Sequence, residues 1–130
     1  MTNSPVFDPA IEKFVSLATY RRSGVEVTTP VWIAKVAGRY YVFSAGDAGK
    51  VKRIRATPRV RLAASDVRGN VRSAWVEARA RIILEPVLIA EVRKALRDKY
   101  GLLMRLIDLM ASMTGRIHRR AYIEIELVDS

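Results

Sequence analysis

In SAWVEARARIIL, residues 73–84, the side chains alternate: Trp75, Glu77, Arg79 and Arg81 fall on one side, Val76, Ala78, Ala80 and Ile82 on the other. A repeat of two sends successive side chains to opposite faces, which describes a β-strand with one buried face. A strand this long commonly curls, as strands do in barrels. AYIEIEL repeats the pattern near the end of the chain, with Ile123, Ile125 and Leu127 opposite Tyr122, Glu124 and Glu126. The two glutamates read as one exposed strand face. RVRLAAS does the same earlier, with Val60, Leu62 and Ala64 against Arg59, Arg61 and Ala63.

The remaining segments fit around such a sheet. Residues 18–44 are rich in Thr, Val, Ile, Tyr and Trp and are interrupted by RRSG and VAGR, so they read as a three-strand antiparallel meander joined by tight turns. Before it, Asp8 and Pro9 resemble a helix start, and Ile11, Phe14, Val15 and Ala18 recur at helical spacing, predicting a short helix to about Leu17. KVKRIRAT returns to a helical pattern that Pro58 ends, because the residue before proline is driven from the α region. DVRGN is a turn. Leu88, Val92, Ala95 and Leu96 mark an amphipathic helix stopped at Gly101, and a second helix is expected over residues 102–113. Six or so strands with three or four helices in 130 residues predict one α+β domain over 1–130, a partly open antiparallel β-barrel decorated by helices.

Charge narrows the partners. The chain has 23 Lys and Arg against 13 Asp and Glu, a formal net charge of +10, which favours anionic ligands: nucleic acid, a phosphorylated cofactor or acidic lipid. With no cysteine and a single histidine, His118, the sequence offers no disulfide, no thiolate nucleophile and no ordinary transition-metal site. Residues 1–16 lack the apolar core of an export signal, so the cytoplasm is the expected compartment. GLLMRLIDLMASMTG, residues 101–115, is too short to span a bilayer. A helix buried in the protein or facing a partner is expected there; peripheral membrane contact stays open without being predicted.

GKVKRIRATPRVRL, residues 49–62, carries Lys50, Lys52, Arg53, Arg55, Arg59 and Arg61 with no acidic residue between Asp47 and Asp66. As a helix it turns Val51 and Ile54 to the core, Lys50 and Arg53 to one flank, and Lys52 and Arg55 to the other. Cations in a first helical turn oppose the helix dipole unless an external anion compensates them, and the free N–H groups there can hold a phosphate. A solvated basic face is the competing reading. GDAGKV is not a P-loop, since its glycines are too close and Val51 stands where Ser or Thr would hold magnesium. Pro30, between Thr28–Thr29 and Val31, marks a strand edge or bulge where backbone groups are free to meet a ligand, or an edge guarded against aggregation. GRIHRR reads as a basic loop or a second phosphate contact. Anion binding without acid–base machinery suits a protein whose cofactor carries the reactive atom.

Taken in order, TTPVW, YYVFSAGDAGKVKRIRATPRVRLAASDVRG and WVEARARI resemble the pyridoxamine-phosphate-oxidase-like split β-barrel proteins, and within them the branch using the deazaflavin coenzyme F420. The resemblance covers nearly the whole chain, and residues 41–69 are its specific part. It implies a homodimer with the cofactor between subunits. Carried over by position, Lys50, Lys52 and Arg53 hold the cofactor phosphate and tail, and Ser44 and Ala45 lie beside the cofactor. Thr28, Thr29, Pro30 and Val31 face the ring, and Trp75 reaches it from the other subunit. The implied reaction is hydride transfer from reduced F420 to an electron-poor organic small molecule, with no residue assigned as general acid. FMN is the alternative cofactor, and a carrier of F420 or FMN without turnover is the alternative function. A nucleic-acid-binding barrel is the remote one, disfavoured because no aromatics interleave with the arginines as stacking on single strands needs. The apolar 102–114 segment matches no family motif.

Overall fold

The computed structural model describes residues 8–128. Seven antiparallel strands form one sheet: β1 (Phe14–Tyr20), β2 (Glu26–Val31), β3 (Ile33–Val36), β4 (Arg39–Ala45), β5 (Arg59–Ser65), β6 (Val76–Ile83) and β7 (Arg120–Leu127). Helix α1 (Gly49–Ala56) joins β4 to β5, and α2 (Pro86–Tyr100) and α3 (Leu102–Met113) lie between β6 and β7, followed by a 3-10 turn at Arg116–Arg119. The order across the sheet is β2-β1-β5-β6-β7-β4-β3. Its two outermost strands, β2 and β3, are separated by Trp32 alone. The sheet must therefore curl until its ends nearly meet, which makes it a split barrel.

That arrangement corrects two expectations. The meander is four strands rather than three, because the chain leaves one end of the sheet at Val31 and enters the other at Ile33. The helix expected over 9–17 is a single turn followed by β1. Asp8 does cap it, its Oδ1 accepting the Ala10 N–H at 2.9 Å, but Ile11 is left exposed and Phe14 onward is strand. β1 pairs with β2 on one side and β5 on the other, and residues 15–20 are all buried. Burial on both faces removes the alternation by which a strand is recognised.

Two apolar clusters hold the fold. The barrel interior is filled by Leu17, Ile33, Val42, Leu62, Ile123, Ile125 and their neighbours, and Ile54 of α1 plugs one end. Each such fully buried side chain stabilises the fold by about 1.5–3 kcal/mol. Outside the barrel, Val92 and Leu96 of α2 and Met104 of α3 pack on Ala34, Tyr41, Ile83 and Tyr122. The VAGR hairpin turn has both central residues at positive φ, Ala37 at 50° and Gly38 at 82°, which is the twist a two-residue hairpin needs.

The C-terminus of α2 staples the barrel seam. Tyr100 stacks on Trp32, centroids 4.2 Å apart and planes 5° from parallel, and its Oη accepts the Ile33 N–H at 2.9 Å. Lys99 Nζ donates to the carbonyls of Ile33 and Glu12, each at 2.6 Å. Burial pushes the Lys99 ammonium down to about 8 and the Tyr100 phenol up to about 12, so both keep their protons at neutral pH.

Buried carboxylates make the remaining cross-links. Glu124, expected on an exposed face, is 8 % exposed. It accepts hydrogen bonds from Tyr41, Arg39 and Arg81, all outward-pointing residues of neighbouring strands. Asp108 turns inward from α3 and is shared by Arg97 of α2 at 2.9 Å and Arg120 of β7 at 2.8 Å. Burial alone would raise the Asp108 carboxyl, but the hydrogen bonds from Arg120 and Arg97 outweigh it and hold it below the ordinary range.

Asp108→Ala is expected to cost about 3–5 kcal/mol, because it strands the buried Arg120 guanidinium; urea unfolding at neutral pH measures it. Since the folded-state carboxyl is depressed, its contribution is full above the unfolded value and is lost as pH falls through the folded one. The gap between parent and variant should therefore narrow in acid.

Candidate functional site

Helix α1 divides the basic segment. Val51 and Ile54 are its buried residues, so the cations are forced to the flanks. On one flank Lys50 Nζ donates to Ser44 Oγ at 3.2 Å and Arg53 Nε donates to Thr19 Oγ1 at 2.7 Å. Arg53 curls back toward the start of the helix: a Cβ on Gly49 would stand 2.6 Å from its Nη1. The helix begins after Ala48 with no side-chain cap and no acid in its first turn. Two cations and uncapped N–H groups thus share the positive end of the helix dipole.

Neither Lys50 nor Arg53 has a carboxylate partner among the described residues. Burial first, and the Arg53 charge second, lower the Lys50 ammonium below the ordinary lysine range. An anion placed there would offset the cost of burying the ammonium and screen it from Arg53, so the electrostatics favour an anionic ligand.

The later cations behave differently. Arg59 binds Glu77 with Nε at 2.9 Å, and Arg61 binds Glu26 at 2.6 Å. Arg59 lies 4.6 Å over the Tyr20 ring and Arg61 4.8 Å over Trp75. These arginines are neutralised within the sheet and belong to its outer surface.

The other candidates fall in four places. Ala45, beside Ser44, opens on a groove of about 460 Å³ lined also by Gly46, Asp47, Arg116 and Arg119. On edge strand β2, Thr29 and Val31 face inward, paired with Leu17 and Val15, whereas Thr28 and Pro30 face outward opposite Ala18 and Ser16. Gly69 of the DVRGN turn lies against Pro30, its absent Cβ 3.7 Å from the ring. Trp75 is on the outer side with Arg61. Lys52 points into solvent on the opposite flank of α1 from Lys50. Within one chain, then, Lys50, Arg53 and Ser44 come together, while Lys52, Thr28, Pro30 and Trp75 do not join them.

Arg55 finds its place on that opposite flank. It lines a cavity of about 420 Å³ with Asp47, Ile82, His118 and Arg119, so the GRIHRR segment converges on α1 from β7. A Cβ on Gly46 would collide with the Arg119 carbonyl, so only glycine lets the two turns meet. Sequence reading missed this pairing because 72 residues separate Asp47 from Arg119. The glycine of GDAG was the only local signal.

No protein-family description matches the chain, and no curated protein matches it. Solved structures do. HutZ, a heme storage protein from Vibrio cholerae, superposes with a TM-score of 0.72 at 12 % identity, over 92 % of this chain and 84 % of that one. An FAD-binding protein from Mesorhizobium loti gives 0.65 at 18 % identity, over 93 % and 85 %. A protein described as an F420 reductase gives 0.56 at 18 % identity, over 88 % and 86 %. The chain has the split-barrel fold of these proteins.

The Lys50 and Arg53 pair predicts a pH-dependent anion affinity. An alkyl phosphate, doubly ionised above about pH 7, should bind the protein more weakly as pH rises through the lowered Lys50 value, because the neutral amine offers no charge. Calorimetric titration across pH measures this, and Lys50→Arg should abolish the dependence while keeping the site.

Proposed function

We propose that the protein binds a phosphorylated flavin-type cofactor and works as an F420-dependent reductase. The observation that carries the reading is the pair of carboxylate-free cations, Lys50 and Arg53, gathered over Ser44 and Thr19 at the uncapped start of α1. Their donor set fits a phosphate monoester or diester: two charged donors, helix N–H groups and no competing acid. The fold shared with an FAD-binding protein and an F420 reductase supports a ring system as the rest of the ligand.

Each residue then has a physical task. Lys50 and Arg53 hold the phosphate and fix the register of the cofactor. Ser44, 8 % exposed, orients the Lys50 ammonium. Edge strand β2 is bonded to β1 alone, so the backbone around Thr28 and Pro30 offers unpaired groups to the edge of a planar ring. Trp75, on the outer surface, is assigned to the ring of a second subunit, which makes the working unit a homodimer. Lys52 and Ala45 border the tail. A bound reduced deazaflavin supplies a hydride to an electron-poor small molecule, and the protein contributes alignment and exclusion of water.

Fluorescence titration with F420 and with FMN tests the binding half. We expect saturable binding of F420, weakened by Lys50→Ala with Arg53→Ala by about 1.5–3 kcal/mol for each charged hydrogen bond lost. Undiminished affinity in the double variant, or no binding of either cofactor by the parent, overturns the reading. Turnover of reduced F420 with quinones, nitro compounds and enones tests the other half; binding with consistent inactivity identifies a carrier.

A further inference from the structure

Helix α3 is inside out. Its buried residues are Met104 and Asp108, the latter spent on Arg97 and Arg120. The side turned to solvent carries Leu102, Leu106, Leu109, Met110 and Met113, from 53 % to 83 % exposed, with Leu103 at 45 %. At about 100° per residue these six side chains form one continuous stripe along all three turns of the helix. Scattered exposed leucines need no explanation, but an apolar face of this continuity marks a surface that meets something. The helix expected from sequence to be buried or partner-facing is therefore half buried, with its apolar half outside.

The charges around the stripe say what it meets. Arg105 flanks it and, with Arg97 and Asp108, lines a notch of about 250 Å³ between α2 and α3. That notch holds two guanidinium groups, Arg97 and Arg105, against the one carboxylate of Asp108, which Arg120 also neutralises from the inside. At the far end of the helix Arg116 and Arg119 line the groove beside Gly46. Residues 102–119 contain no acid other than the buried Asp108. A second copy laid stripe to stripe on α3 would set Arg105 against arginine with no exposed carboxylate from residues 102–119, Asp47 in the far groove being the one acid near Arg116 and Arg119. A surface that is apolar in the middle and anionic at the edge of contact satisfies both features.

We propose that α3 docks the protein on anionic phospholipid, lying in the plane of the interface with its leucines and methionines among the acyl chains and Arg105, Arg116 and Arg119 at the level of the phosphates. No described helix is long and apolar enough to cross a membrane, and none has to: an interfacial helix enters by one face. The inverted orientation explains Asp108, whose inward ion pairs keep the polar side of α3 fastened to the protein while the apolar side is presented outward. The docking does not depend on the cofactor reading, since it uses none of Lys50, Arg53 or Ser44.

Vesicle sedimentation decides it. Full-length protein is mixed with phosphatidylcholine vesicles containing about 30 % phosphatidylglycerol, or none, at low and high salt. The expected result is sedimentation with the anionic vesicles only, weakened by salt. Leu106→Glu with Met110→Glu, both at exposed positions, should abolish it, and Arg105→Glu with Arg116→Glu should weaken it by about fivefold or more per arginine. Circular dichroism confirms that the variants fold. Failure of the parent to sediment overturns the proposal. So does equal sedimentation of the Leu106→Glu, Met110→Glu variant, which would assign binding to the net charge alone. A parent dimer in solution that this variant converts to monomer, without vesicle binding by the parent, would assign the face to self-association instead.

Discussion

A single residue, Trp32, stands between the two ends of the sheet. Because β2 and β3 are contiguous in the chain yet outermost in a seven-strand order, the sheet has no freedom to lie flat. Curling places the inward faces of β1, β4, β5 and β7 against one another and creates the interior that Leu17, Val42, Leu62 and Ile123 fill. It also leaves the barrel open at one end, where α1 inserts Val51 and Ile54 and must then carry its cations on its flanks. The gathering of Lys50 and Arg53 at the start of α1 is in this sense a by-product of plugging the barrel. The seam itself would expose the Ile33 backbone, and Tyr100 and Lys99 satisfy it from α2.

Much of this was legible in the sequence. β5, β6 and β7 announce themselves by strict alternation, α1 by the proline that ends it, and α2 by its Val92–Leu96 stripe. The two-flank geometry of Lys50, Arg53, Lys52 and Arg55 follows from helical spacing alone, and the structure adds the partners that distinguish one flank from the other. What could not be read is whatever depends on pairing between distant segments. β1 looks helical because a central strand buried on both faces has no polar side to alternate with. Glu124 looks exposed because its partners, Arg39 and Arg81, lie 85 and 43 residues away. Nothing near Asp108 in the chain says that Arg97 and Arg120 meet it on the inner side of α3.

The basic excess therefore has several physical origins. Arg59 and Arg61 are balanced by carboxylates across the strands and serve the outer face of the barrel, where such pairs contribute about 0–1 kcal/mol each. Arg97 and Arg120 are held by a buried acid and fix α3 to the body of the protein. Lys50, Arg53, Arg55, Arg116 and Arg119 have no such partner among the described residues. A net charge of +10 is thus a sum over unlike parts, some spent on carboxylates within the fold and some left without one.

Gly46 joins two of those parts. Its missing side chain lets the turn leading into α1 rest directly on the carbonyl of Arg119, backbone on backbone, with no rotamer between them to absorb a displacement. A shift of the 3-10 turn after α3 is therefore passed on to the turn that aims Lys50. The turn that leads to Lys50 and the turn that carries Arg116 and Arg119 are thereby held in register by a contact of main chain on main chain.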